Sequence, residues 1–104
     1  YKRTYRAKVP GGWLVMYQYF GGSSGPGSHA ILLVPDATGQ WELEGKSISW
    51  EKIDGRSNPN FKQATYRLKV PGGWIVRDDY DLREHSSIAM IFILDAEHNW
   101  HVNS

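Results

Sequence analysis

Thr4-Tyr5-Arg6-Ala7-Lys8-Val9-Pro10-Gly11-Gly12-Trp13-Leu14-Val15 returns as Thr65-Tyr66-Arg67-Leu68-Lys69-Val70-Pro71-Gly72-Gly73-Trp74-Ile75-Val76, with ten of twelve positions identical and apolar swaps at the other two. A stretch that recurs makes each occurrence a control for the other. What the two share is expected to be scaffold. What they do not share is where a specific function can sit.

Within the stretch, Tyr5, Ala7 and Val9 alternate with Arg6 and Lys8, the period of a strand with one apolar and one basic face. Pro10-Gly11-Gly12 is a turn, because Pro fixes φ and Gly tolerates its positive values. Trp13–Tyr19 then completes a hairpin. Residues 21–28, rich in Gly and Ser, read as a loop. Ala30–Val34 is a continuous apolar run, expected as a strand buried on both faces. Asp36-Ala37-Thr38-Gly39 turns the chain, and Trp41–Glu44 reads as a fourth strand.

The later sequence follows the same plan. Ala89–Leu94, Asp95-Ala96 and Trp100–Val102 match Ala30–Pro35, Asp36-Ala37 and Trp41–Leu43 at an offset of 59, against 61 for the opening stretch. The two-residue difference falls between, in 16–29 against 77–88, where surface loops accept insertions. In the connecting residues, Asn58-Pro59 can open a short helical turn through 61–64. Ile48, Trp50 and Ile53 give that segment something to pack.

The expected fold is therefore all-β: a tandem duplication of a four-stranded antiparallel meander, forming a pseudo-two-fold eight-stranded sandwich or barrel that shares one core. Residues 1–44 make the first repeat, 45–64 the connection and 65–104 the second repeat of a single domain. Each half alone is too small to bury an adequate core, so one shared core follows.

Composition narrows the function. A net charge of +1 gives no general drive toward nucleic acid or anionic membranes. With no Cys there is no disulfide or thiolate chemistry, and the chain suits either redox compartment; a cytoplasmic protein is the working expectation. No apolar run reaches membrane-spanning length. The chain opens at Tyr1 without Met and without a signal peptide, which suggests a processed or trimmed product.

Several residues invite a functional reading. Arg6, Lys8, Arg67 and Lys69 form an Arg-x-Lys pair in each half, suited to phosphate or an acidic protein surface; the plain alternative is a solvated or edge-guarding face. Trp13, Trp74, Trp41 and Trp100 either stack on ligands or belong to the core, and their recurrence favours the core. Asp78, Asp79 and Asp81, with Tyr80, fill a charged loop, whereas the matching loop of the first half carries Tyr17, Tyr19 and Phe20. The three carboxylates lack the spacing of a calcium loop, and Arg77 and Arg83 flank and neutralise them. His98 and His101 stand across a turn without carboxylate partners, so no metal or cofactor is expected. His29 and His85 sit at non-equivalent places with no nucleophile to serve. Asp36 and Asp95 are expected to hold turns rather than act as an acid–base pair.

The leading expectation is a non-enzymatic protein-binding module of the adaptor, inhibitor or immunity type, acting as monomer or homodimer away from membranes. A nucleic-acid binder using the Arg-x-Lys strands is the alternative, followed by a small enzyme with a site between the halves.

Overall fold

The computed structural model describes residues 2–19, 27–42, 48–82 and 85–102. They form seven strands in two antiparallel sheets, with no helix among them. One sheet is the meander β1 (Lys2–Val9), β2 (Gly12–Tyr19) and β3 (Ser28–Pro35). The other is the meander β4 (Glu51–Asn58), β5 (Phe61–Val70), β6 (Gly73–Leu82) and β7 (His85–Leu94).

The recurring stretch builds the same hairpin in both sheets. Lys8 faces Trp13 in one and Lys69 faces Trp74 in the other. Pro10 and Pro71 lead into Gly11 and Gly72, whose φ of +84° and +79° supply the left-handed corner. Gly11 and Gly72 then accept the amides of Asp36 and Asp95 through their carbonyls, at 2.9 and 2.8 Å.

The fourth strand expected of each half does not form among the described residues. Trp41–Glu42 and 100–102 are not strands, and residues 43–44 lie outside the described ones. The reason is local. Each tryptophan's backbone groups bond side chains instead of a ladder: Trp41 N–H donates to Asp36 (3.0 Å) and its carbonyl accepts from Arg6 (2.6 Å). Trp100 repeats this with Asp95 (2.9 Å) and Arg67 (2.7 Å).

The connecting segment supplies one strand, β4. No helical turn follows Pro59. Asn58 accepts the amides of Asn60 and Phe61 at 2.7 and 3.1 Å, an Asx-type turn that starts β5. A register shift between Lys52 and Asp54 bulges β4 at Ile53. The second strand ends at Tyr19 as expected, but the stretch 77–82 expected as a loop is strand. β6 runs to Leu82, so the side chains of Asp78-Asp79-Tyr80-Asp81 alternate between faces.

The core lies between the sheets. Val15 and Val34 of the first meet Leu68, Val70 and Ile75 of the second, with Leu32, Met90 and Phe92 around them. The backbones approach most closely where β3 runs along β7. There the Ser28 hydroxyl lies 2.6 Å from the Ser86 hydroxyl and donates to the Ser86 carbonyl at 2.9 Å.

Equivalent faces do not meet. Registers place Arg6, Trp13, Val15, Leu32 and Val34 on one side of the first sheet, and that side is the buried one. The matching residues Arg67, Trp74, Val76, Ile91 and Ile93 lie on the outer side of the second sheet. The second sheet instead buries Leu68, Ile75, Met90 and Phe92, whose counterparts Ala7, Leu14, Ile31 and Leu33 face outward in the first. The sheets are stacked front to back, and a two-fold axis, which buries like against like, does not relate them.

Candidate functional site

In both sheets the turn end is held by the same clasp. Arg6 stacks its guanidinium 4.1 Å from the Trp13 ring and 4.6 Å from Trp41, while Arg67 lies 4.0 Å from Trp74 and 4.8 Å from Trp100. The indole pairs meet edge to face at 5.9 and 5.7 Å. Asp36 accepts the Trp13 Nε1–H at 2.9 Å, and Asp95 does the same for Trp74. Arg67 also donates to Glu51 at 2.7 Å. A guanidinium is planar and weakly hydrated, so it packs on indole faces where an ammonium would not. The repeated arginines are thus scaffold, occupied by rings and carbonyls, and Arg67 is buried. Lys8 and Lys69 remain exposed.

These bonds hold both aspartates below the ordinary carboxylate range. For Asp36 and Asp95 the Trp Nε1–H bond is the largest cause, with the amides of Trp41 and of Asn99 and Trp100 adding to it. A carboxylate whose folded pKa is depressed stabilises the fold above its unfolded pKa and loses that contribution as pH falls through the folded value. The urea midpoint is therefore expected to drop on acidification from about pH 5 to about pH 2. Asp36→Asn combined with Asp95→Asn should lower stability at neutral pH and flatten that acid slope. A double variant with the wild-type slope would refute the clasp as its source. Asp79, raised by burial against the pull of Arg77, acts with the opposite sign in both proteins and cancels in their difference.

One position breaks the likeness between the sheets. His98, at φ +54°, stands where Gly39 stands at +64°. Its Nε2 lies 2.8 Å from the Val70 carbonyl and 3.0 Å from that of Gly73, so Nε2 carries the proton. The ring stands edge-on to Trp74 at 5.5 Å. His98 is a local strut, which accounts for a residue otherwise costly in the left-handed region.

At the other end of the interface Arg77 sits in an aromatic cage. Its guanidinium lies 3.8 Å from Tyr17, 4.1 Å from Tyr66 and 4.5 Å from Trp50. Asp79 holds it with two bonds, at 2.9 and 3.1 Å. Burial pushes the Tyr17 hydroxyl up to about 12. Trp50, between the sheets, donates to Thr4 at 2.9 Å. Beyond the cage the sheets part around an open cleft of about 480 Å³, lined by Lys2, Tyr19, Lys52, Lys62, Asp79 and Asp81 among others.

The candidate residues thus separate. Arg6 and Arg67 belong to the clasps, and Tyr17 with Asp79 to the cage. Tyr19, Asp79 and Asp81 meet at the cleft. Asp78 and Tyr80 point to the opposite, outer face, where Asp78 accepts from Thr65 (2.8 Å) and Gln63, and Tyr80 stacks on Phe61 at 5.5 Å. The three carboxylates do not converge. Among the described residues no three His, Asp or Glu gather as a metal site, and no helix is long and apolar enough to cross a membrane. Phe20 lies outside the described residues.

What the sequence reading missed is the surface. Ile31 and Leu33 are 55% and 49% exposed on the outer face of the first sheet, beside Leu14 and Met16. Ile91 and Ile93 are 56% and 37% exposed on the outer face of the second, beside Val76. The run on β3 looked buried on both sides, yet it and its counterpart on β7 each have only one side in the core. The signal was there in part. Two sheets packed face to face have four faces, and one interface covers two of them. In comparisons with known proteins, no family model, no curated protein and no solved structure matches this chain, so its function rests on these residues alone.

Proposed function

We propose that this chain is a non-enzymatic protein-binding module built from two tandem copies of one β-meander. The observation that carries the reading is the pair of outward apolar faces, centred on Ile31 and Leu33 at one end of the stack and on Ile91 and Ile93 at the other. Soluble monomers rarely leave contiguous apolar patches uncovered, and such patches mark interaction surfaces. The competing chemistries lose their residues to structure. Asp36 and Asp95 hold turns and indoles, and Arg6 and Arg67 lie between tryptophans. Asp79 is tied to a buried arginine.

The test is a pull-down from native lysate with tagged wild type, Leu33→Glu and Ile91→Glu, with and without nuclease. Mass spectrometry identifies what is bound, untagged copies of the chain included. A protein recovered in stoichiometric amount, insensitive to nuclease and reduced by substitution of the face it occupies, is the expected result. Recovery unchanged in both variants would remove the faces from the reading. Recovery abolished by nuclease would transfer it to nucleic acid.

A further inference from the structure

The internal interface is a template for what covers the outer faces. It seats one kind of face on another. The first kind presents Val15, Leu32 and Val34, and the second presents Leu68, Ile75 and Phe92. Each kind is present twice, and each is covered once. The uncovered first kind is Val76, Ile91 and Ile93 on the second sheet. The uncovered second kind is Ala7, Leu14 and Leu33 on the first sheet. The two open faces therefore match each other by the same correspondence that already holds the sheets together.

We propose that the occupant of both open faces is a second copy of this chain, docked head to tail, with the Leu14–Ile31–Leu33 face of one molecule on the Val76–Ile91–Ile93 face of the next. This rests on the reading of these faces as protein-binding surfaces and names their partner. A like-on-like contact would pair two faces of one kind, which the molecule itself never does. Stacking in the same direction does what the molecule already does once. The contact between Ser28 and Ser86 shows that β3 lies over β7 with little slip along the strands, so the operation can be repeated.

The correspondence is closest toward the turns and fades toward the cage. Met16 stands at the position of Arg77, and Asp78 at that of Tyr17. The new interface therefore lacks the guanidinium–aromatic stack and depends on its apolar centre. The sheets are closest along β3 and β7 and part around the cleft on the other side. Repeated stacking turns about the β3–β7 edge, and such heterologous contacts close into rings or run on as helical filaments.

Sedimentation velocity on the purified protein, from micromolar to near-millimolar concentration, tests this. Wild type is expected to gain mass with concentration. Leu33→Glu and Ile91→Glu alter residues already half in solvent, and melting curves check that both still fold. Each alone should be monomeric, its association weakened at least about 100-fold by a carboxylate buried without a partner. The decisive arm is the mixture. Leu33→Glu keeps an intact Ile91 face and Ile91→Glu an intact Leu33 face, so together they should form a one-to-one dimer that grows no further. A dimer of either variant alone overturns the proposal in favour of a like-on-like contact, and a mixture that stays monomeric overturns it too. Wild type that stays monomeric at every concentration also overturns it. A different protein captured in the pull-down through these faces then leaves the binding-module reading standing, and no capture ends both.

Discussion

Gly73→Ala is expected to destabilise the fold by about 3 kcal/mol or more, whereas Gly72→Ala, one residue earlier, should cost about 1–2 kcal/mol. The two glycines of each turn do different work. Gly72 needs its positive φ, but a methyl there meets only the Phe92 ring, at 3.8 Å. Gly73 has no such φ. A methyl on it runs into the Ile93 carbonyl oxygen and sits 2.9 Å from the Asp95 amide nitrogen. Those are backbone atoms, so relief requires moving β7 away from β6 and the turn that carries Asp95. Gly12 meets the Val34 carbonyl and the Asp36 amide in the same way. Denaturant titration of the single variants checks the order. Equal losses at 72 and 73 would show that backbone freedom, not close approach, selects both glycines.

Arg77→Ala should cost about 3–5 kcal/mol, the range for breaking a buried ion pair by removing one partner. It empties the cage between Tyr17, Trp50 and Tyr66 and leaves Asp79 in a site that already pushes its carboxyl upward. Arg77→Met keeps much of the volume and should still be costly while Asp79 remains. Adding Asp79→Asn removes the stranded charge. The double-mutant cycle is then expected to show a coupling of about 0.5–3 kcal/mol. Additive losses would mean that Arg77 acts by packing on the rings alone.

The recurring stretch carried much of the architecture. Alternation, Pro-Gly-Gly and the following Trp located both central hairpins, and the matched Asp and Trp residues proved structural. Three things were not legible, each for a physical reason. Strand alternation shows that two faces exist but not which one is covered. Tyr5, Ala7 and Val9 looked like the core face because arginine counts as polar; Arg6 and its tryptophans form the covered one instead. β4 contains Asp54, Gly55 and Asn58, poor strand formers, and owes its conformation to pairing with β5. Arg77 resembled a counterion for a loop of aspartates, because its three aromatic neighbours come from β2, β5 and the segment before β4. Of the candidate residues, Tyr19, Asp79 and Asp81 were assigned to the separate loops of the two halves, yet they line one cleft. The exposed aliphatics of β3 and β7 were hidden inside apolar runs that suit a central strand as well as a half-covered one.

Among the described residues, every strand pairing joins strands that are consecutive in the chain. Bringing such neighbours together closes only short loops, so each sheet can assemble at small entropic cost. The one event that must wait for distant residues is the docking of the finished sheets along β3 and β7. Until it happens, all four apolar faces are open at once. The interval between hairpin formation and docking is when a newly made chain is most exposed to other chains, and the rate of that single step sets how long the hazard lasts.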